Sequence, residues 1–316
     1  MKILVRFPNW LGDAIFARGF LKALLERYPD SEIHVLIKEN LKEIVWDFKS
    51  FTFKNKKDLF LLLFKIKKQR FDISYILPNS FSSAFFTFLY GIRERIGYEN
   101  FLRNVFLTKS LKIEKDYKKK HIINSYLKLI GLEYNEKYKP DFPLKDINFK
   151  LDFKNYVVFA PFASFGPSKE WPKEYYIKLG EIFENNNFKV IILGSKKDVK
   201  KFEKWEKKFI DFVGKLNLIE VSYLIKNSKI FIGNDSGLFH LANALDIPSI
   251  GIYGSSSPLW TGPLSKNSIY IYKNLECSPC FKRKCFKKEN KYECLYKIKP
   301  EEVFEISREK LKILKR

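Results

Sequence analysis

Apolar positions in the first half of the chain alternate between short continuous runs and stretches with helical spacing. Short apolar runs bounded by turn residues predict buried strands, and apolar residues three or four positions apart predict helices. The pattern predicts strands at residues 2–7, 32–38 and 71–77 and helices at residues 14–27 and 81–90.

A second alternating series follows residues 138–155, where two prolines interrupt the periodicity and indicate a linker. It predicts strands 156–160, 189–193, 229–233 and 249–253 and helices 173–184, 198–209, 218–225 and 237–245. Such alternation is typical of parallel sheets with helices on both faces. We therefore expect an α/β fold with two Rossmann-like doubly wound domains, residues 1–150 and 151–316, whose C-terminal helix could pack back on the first domain.

The chain carries a net charge of +23, and this charge is spread evenly. Residues 1–150 contribute +12 and residues 151–316 contribute +11. The charge favours anionic partners such as phosphorylated substrates or acidic lipid surfaces, and a Lys-rich solvated surface explains it equally well. A nucleic-acid-binding protein would concentrate cations and aromatics on one face, so that class ranks far lower.

The start of the chain has neither the apolar run nor the cleavage site of a signal peptide. No apolar stretch approaches the length needed to cross a bilayer. We expect a cytoplasmic protein that is either soluble or peripheral on the inner membrane.

Asp13 follows the first predicted strand, where the next helix begins. Asp is a favoured helix N-cap. The same position lies at the carboxyl end of a strand, where α/β folds bind their ligands, so Asp13 could instead serve as a general base. The residues alone leave both interpretations open.

Residues 161–172 combine hydroxyls, glycine and one ammonium between a strand and a helix. Ser164, Ser168 and Lys169 are the donors that a diphosphate needs. The alternative is a well-capped connection with a solvent-facing Lys169, which would contribute little to stability.

Residues 232–240 follow another strand with the sequence Ile-Gly-Asn-Asp-Ser-Gly-Leu-Phe-His. Asp235 or Ser236 could cap the helix that starts at Gly237, whose first N–H groups favour an anion. His240 lies about one turn into that helix and could approach the same ligand.

Two further segments are open to more than one interpretation. Residues 254–258 could line a base pocket or simply turn the chain. The four cysteines lie within eighteen residues, and only the first pair has the Cys-x-x-Cys spacing of zinc ligands. Zinc, disulfides and free thiols all stay open for Cys277, Cys280, Cys285 and Cys294.

Together, these loops resemble those of the heptosyltransferases of lipopolysaccharide core synthesis, glycosyltransferase family nine. The resemblance covers nearly the whole chain and rests on residues 10–13, 163–172, 234–240, 253–258 and 277–280. It implies the GT-B fold, with two domains facing across a cleft. It also implies an ADP-heptose donor, a lipid A–Kdo or heptose acceptor, inversion at the anomeric carbon, and neither cofactor nor catalytic metal.

The resemblance also implies residue roles. Asp13 matches the catalytic base, and Ser164 and Lys169 match the donor-phosphate contacts. Asp198 matches a carboxylate that holds the adenosine ribose. Asp235, Ser236, Gly237 and His240 match the donor-binding loop, and Ser168 joins the donor set from its own loop. The sequence departs from the family at Phe162 and at Glu170, which stands where Arg is common.

Alternatives remain: a family-nine transferase with another acceptor or another ADP-sugar, and a nucleotide-binding protein without catalysis, which would not require Asp13. Residues 51–71 hold seven Lys or Arg and one Asp around an apolar block. Leu59, Leu62, Leu63 and Ile66 follow helical spacing and should pack on the first sheet. The flanking cations could face anionic lipid head groups and acceptor phosphates.

Overall fold

The chain folds into two compact units, Met1–Pro143 and Leu144–Arg316. The computed structural model describes residues 1–207 and 209–311. Within these residues no helix combines the length and apolar character needed to cross a bilayer. The boundary between the units falls inside the linker predicted at residues 138–155.

The first unit is a six-stranded parallel sheet with the order β3-β2-β1-β4-β5-β6. The central strands are mostly apolar and are buried almost throughout, as expected for parallel strands with helices on both faces. Its strands are β1 Lys2–Arg6, β2 Glu32–Lys38, β3 Lys49–Phe53, β4 Ile73–Ile76, β5 Glu94–Tyr98 and β6 Lys109–Leu111. Its α-helices are α1 Leu11–Arg27, α2 Lys56–Leu61, α3 Leu63–Lys68, α4 Phe81–Leu89 and α5 Ile122–Leu127.

The second unit repeats the same strand order in a second six-stranded parallel sheet, β12-β11-β10-β7-β8-β9. Its strands are β7 Tyr156–Ala160, β8 Lys189–Ile192, β9 Ile210–Asp211, β10 Ile230–Asn234, β11 Ser249–Tyr253 and β12 Ser268–Tyr272. Its α-helices are α6 Lys173–Asn185, α7 Val199–Phe202, α8 Leu218–Lys226, α9 Gly237–Ala244, α10 Pro258–Thr261, α11 Glu293–Tyr296 and α12 Pro300–Lys310. Both sheets have the Rossmann order 3-2-1-4-5-6, which confirms the predicted fold class.

The predicted helix 198–209 is wrong beyond Phe202. A short 3-10 turn leads into α7, and the chain then leaves the helix so that Trp205 and Phe209 can enter the core. Phe209 lies over Gly180 of α6, where a β-carbon would come within 2.4 Å of the ring.

The last described helix, α12, belongs to the second unit. Val303 and Phe304 are buried in the core of that unit, and the Phe304 ring lies 5.2 Å from the ring of Phe183 in α6. The C-terminal helix considered above for packing on the first domain is therefore packed on α6 within its own unit.

Candidate active site

The candidate residues follow the strands at which the order of each sheet reverses. In the first unit this switch point lies between β1 and β4, and in the second between β7 and β10. Asp13 follows β1, residues 161–172 follow β7, and residues 235–237 follow β10. Because ligands of open α/β sheets bind outside the carboxyl ends of strands at the switch point, both second-unit loops lie where a nucleotide is expected.

A buried carboxylate organises the second-unit site. Lys169 Nζ lies 2.5 Å from Asp235 Oδ2, and His240 Nε2 lies 3.1 Å from Asp235 Oδ1. The Thr261 hydroxyl donates to the same Oδ1 at 3.1 Å. The Asp235 side chain is 1% exposed and that of Lys169 is 17% exposed. Lys169 is therefore held in place by an ion pair, and the alternative of a solvent-facing lysine in a well-capped connection is wrong.

The charge of Asp235 is maintained by these partners. Burial disfavours the carboxylate, but the charges and hydrogen bonds of Lys169 and His240 outweigh it and hold the pKa of Asp235 well below its usual range. The ion pair thus persists at neutral pH. It fixes the direction of the Lys169 ammonium, which still has further N–H donors for an anion.

Asn234, at the end of β10, joins the two loops of the site. Its side-chain oxygen accepts hydrogen bonds from the Trp171 backbone N–H at 3.0 Å and the Tyr176 hydroxyl at 3.2 Å. Its amide donates to the Pro161 carbonyl at 2.7 Å. Asn234 is fully buried, so its side chain fixes the relative position of both loops. Asn234 is not among the residues for which the sequence pattern predicts a role.

The two serines of residues 161–172 have different environments. Ser164 is exposed and available to a ligand. Ser168 is buried; its hydroxyl donates to the Lys282 carbonyl and accepts from Ser255 Oγ at 3.0 Å. Its backbone N–H donates to the Arg283 carbonyl at 3.3 Å. In this structure Ser168 thus anchors the loop to residues 282–283.

A second cation accompanies Lys169. Lys169 Nζ lies 5.1 Å and Arg283 Cζ 5.6 Å from the centre of the Phe165 ring. Gly166 has a φ of 143°, and a β-carbon there would come within 2.6 Å of the Arg283 carbonyl oxygen. This close approach explains the glycine and brings Arg283, which sequence reasoning missed, to the same loop.

The first turn of α9 provides the remaining predicted donors. Ser236 occupies the N-cap position with extended backbone, and Gly237 begins the helix. The Ser236 hydroxyl is buried without a hydrogen-bond partner among the described residues. A buried hydroxyl of this kind is normally satisfied, so together with the N–H groups of the turn it suits an anionic ligand.

Asp198 and Glu170 both support loop structure. Asp198 Oδ2 accepts from the backbone N–H of Ser195 at 2.9 Å and from its hydroxyl at 2.6 Å, closing a capping box. Glu170 accepts from the Ala163 N–H at 3.1 Å and pairs with Lys201 at 2.5 Å. A cavity of about 380 Å³ lies beside Glu170 and is lined by none of the predicted donor residues.

Asp13 lies inside the first turn of α1, because the helix begins at Leu11 rather than at residue 14. Trp10, not Asp13, is the N-cap residue, so the N-cap interpretation of Asp13 is wrong. Burial and the charge of Asp13 raise the pKa of Tyr126 on α5 well above its usual range. Asp13 therefore lies close enough to Tyr126 for its carboxylate to disfavour ionisation of the phenol.

The remaining segments are structural as far as the described residues show. Ser257 caps α10, and the Ser255 hydroxyl donates a hydrogen bond to the Ser168 hydroxyl. The cysteines are free thiols that line one small cavity. Across residues 1–207 and 209–311, no group of three or more His, Cys, Asp or Glu is arranged to hold a metal ion.

Sequence comparison assigns the chain to a family. The profile of Glycosyltransferase family 9 (heptosyltransferase) matches residues 61–291. The chain belongs to this family. It is therefore a glycosyltransferase, which confirms the resemblance inferred from its loops.

Several relatives match over most of their length. The lipooligosaccharide heptosyltransferase 2 of Haemophilus ducreyi is 29% identical, with 86% of this chain and 88% of the relative covered. The enzyme of the same name from Campylobacter jejuni serotype O:2 is 25% identical, with 99% of each covered. The solved structure of Escherichia coli ADP-heptose LPS heptosyltransferase II superposes with a TM-score of 0.81 at 26% identity, with 98% of each chain covered.

Proposed function

We propose that this family 9 glycosyltransferase transfers heptose, with inversion, from ADP-L-glycero-D-manno-heptose to the inner core of lipopolysaccharide. The observation that carries the proposal is the Lys169–Asp235–His240 cluster beside the first turn of α9. It combines an oriented cation with free helical N–H groups, which suits a sugar diphosphate. The relatives are named as heptosyltransferases of lipooligosaccharide or lipopolysaccharide, which supports heptose as the sugar and lipopolysaccharide as the acceptor.

The proposed mechanism divides the chemistry between the two units. Asp13 removes the proton from the acceptor hydroxyl as that oxygen attacks the anomeric carbon. Lys169 and the N–H groups at Ser236 and Gly237 stabilise the negative charge that develops on the departing ADP. Ser164 and His240 complete the donor contacts, and the Asp198 oxygen outside the capping box binds the ribose. Transfer then requires no divalent cation or other cofactor.

The proposed acceptor defines the setting of the reaction. An acceptor of lipid A with Kdo or heptose sugars is anionic and anchored in a bilayer, so the enzyme would act as a peripheral protein on the cytoplasmic face of the inner membrane. The net charge of +23 favours such a substrate and surface. Nucleic acid is not among the proposed partners.

Donor selectivity tests the proposal. The purified enzyme is incubated with a lipid A–Kdo acceptor and either ADP-heptose, ADP-glucose or UDP-N-acetylglucosamine, and nucleotide release is measured. We expect release with ADP-heptose and only background with the other two sugars. A preference for ADP-glucose would favour the related transferase with another ADP-sugar. ADP binding without turnover on any acceptor would favour the non-catalytic nucleotide-binding protein.

A further inference from the structure

Part of the first unit exposes large apolar side chains in two neighbouring segments. Helical spacing predicts that Leu59, Leu62, Leu63 and Ile66 pack on the sheet. Leu59 and Ile66 are buried there and Leu62 and Leu63 pack against the same core, whereas the apolar residues off that spacing are exposed. We call the exposed set the apolar face. Its most exposed members are Leu61 at 79%, Phe64 at 81%, Phe101 at 88% and Val105 at 76%, with Phe60 and Leu102 beside them.

The two segments of the apolar face are joined by aromatic rings in edge-to-face contact. The ring centres of Phe60 and Phe86 lie 4.8 Å apart, those of Phe86 and Phe85 5.6 Å apart, and those of Phe85 and Phe106 5.3 Å apart. Phe106 directly follows Val105. The exposed residues of the two segments are thus linked through the rings of α4, and clustered exposed apolar residues mark interaction sites.

Exposed lysines flank the part of the apolar face that α2 and α3 form, and the acidic residue of that segment, Asp58, is hydrogen-bonded to the backbone. Lys56, Lys57, Lys65, Lys67 and Lys68 are exposed along α2 and α3. Asp58 accepts hydrogen bonds from the backbone N–H groups of Lys54 at 2.6 Å and Asn55 at 3.2 Å, so its carboxylate caps the N-terminus of α2. Apolar side chains flanked by uncompensated lysines are typical of helices that lie in the head-group region of an anionic bilayer.

We propose that the apolar face docks the enzyme on anionic phospholipid by inserting Leu61, Phe64 and the 101–105 loop below the head groups. The inference rests on the proposed function, because that function places the acceptor in a bilayer. Charge complementarity favours anionic lipid over a second copy of the chain as the partner of the apolar face. A second copy would bring together two surfaces from domains that each carry +12 over residues 1–150, whereas anionic lipid is attracted to the lysines.

Vesicle binding by the full chain tests the insertion. Sedimentation is compared between vesicles of phosphatidylglycerol and phosphatidylcholine in equal amounts and vesicles of phosphatidylcholine alone. The variant Leu61→Ser with Phe64→Ser should bind the anionic vesicles at least about 10-fold more weakly, since each buried methylene contributes to partitioning. The control Leu25→Ser changes a residue of α1 that is 43% exposed and lies outside the apolar face, and it should bind as the parent does.

A charge-matched pair separates insertion from simple attraction. Lys65, Lys67 and Lys68 changed to Gln should weaken binding to anionic vesicles. The same change at Lys189, Lys229 and Lys266, which lie at the amino ends of second-unit strands or just before them, should have a much smaller effect. In addition, the tryptophan of Phe64→Trp should be quenched by lipids brominated on their acyl chains, beyond the quenching of the parent.

Three results would overturn the proposal. These are unchanged vesicle binding by Leu61→Ser with Phe64→Ser, an unquenched tryptophan at position 64, and parent self-association in sedimentation equilibrium that the double variant abolishes. Transfer to a soluble, delipidated acceptor keeps the two proposals distinguishable. Normal transfer by parent and variant with unchanged membrane binding refutes only the docking face, whereas no transfer by the parent refutes the proposed function.

Discussion

Replacement of Lys169 by Met tests whether the buried ion pair has the role assigned to it. The substitution keeps most of the side-chain stem but removes the ammonium, which leaves the carboxylate of Asp235 buried with His240 and Thr261 among its remaining partners. Sequence reasoning treated Lys169 as an exposed loop residue with little effect on stability. The structure corrects this, because its partner is 1% exposed.

The expected loss of stability follows from that burial. Removing one partner of a buried pair costs about 3–5 kcal/mol, because the other charge is left uncompensated. The lower end, about 3 kcal/mol, applies here, since two hydrogen-bonding groups still contact Asp235. The control is Lys201→Met, which breaks the pair with Glu170. Lys201 is 50% exposed, so solvent screens that pair and the loss should be below about 1 kcal/mol.

Urea unfolding at several pH values measures the free energy of unfolding of the parent, Lys169→Met and Lys201→Met. The pKa of Asp235 is lowered in the folded protein, so the stabilisation from its charge is present above the ordinary Asp pKa of about 3.9 and is lost as the pH falls further. The difference in free energy of unfolding between the parent and Lys169→Met should therefore be largest at neutral pH and should decrease below about pH 4. The buried-pair interpretation would be refuted if Lys169→Met lost as little stability as Lys201→Met, or if its difference in free energy of unfolding from the parent did not change with pH. Calorimetry should also show weaker ADP binding by Lys169→Met.

Three further predictions follow from other residues. Asp13→Asn should fold and bind ADP while turnover falls by about 10²–10⁴-fold, and near-normal turnover would remove Asp13 as the base. Transfer should continue in EDTA; loss of activity that magnesium or manganese restores would contradict the metal-free mechanism. Burial and the neighbouring cysteines raise the pKa of Cys294 to about 11, so its alkylation rate, obtained by difference from Cys294→Ser, should still be rising at pH 10. A plateau near pH 9, as for an ordinary thiol, would show that its surroundings are different.

The central strands could be predicted from sequence because parallel strands covered on both faces are continuous apolar runs. β1, β7 and β10 are of this kind, and each appears within a residue or two of its predicted bounds. β6 and β9 contain only three and two residues. Their pairing depends on neighbouring strands rather than on any pattern of their own, so they were not predictable.

Local patterns located the candidate site but not its contacts. Lys169 and Asp235 were each singled out by their own loop, yet they are 66 positions apart and no local pattern shows that they pair. Thr261, the last residue of α10, and Arg283, which contacts the 161–172 loop, come from segments without a nucleotide-binding pattern. The N-cap interpretation of Asp13 failed because α1 begins one turn earlier than its apolar periodicity suggests.

Helical spacing predicted the buried side of residues 59–66 but not what its exposed side adjoins. Leu59, Leu62, Leu63 and Ile66 pack against the core as their spacing indicates, and Phe60, Leu61 and Phe64 lie off that spacing and are exposed. The aromatic rings that link them to residues 101–106 come from segments far apart in sequence, so no local pattern shows the link.

Mass spectrometry of the acceptor tests heptose transfer most directly. The enzyme is incubated with ADP-L-glycero-D-manno-heptose and a defined lipid A–Kdo–heptose acceptor, in parallel with Asp13→Asn. If the enzyme transfers heptose, the acceptor gains the mass of one heptosyl residue with the parent enzyme, and the Asp13→Asn variant yields only traces of that product. An unchanged acceptor with the parent enzyme, while ADP-heptose stays intact, would contradict it.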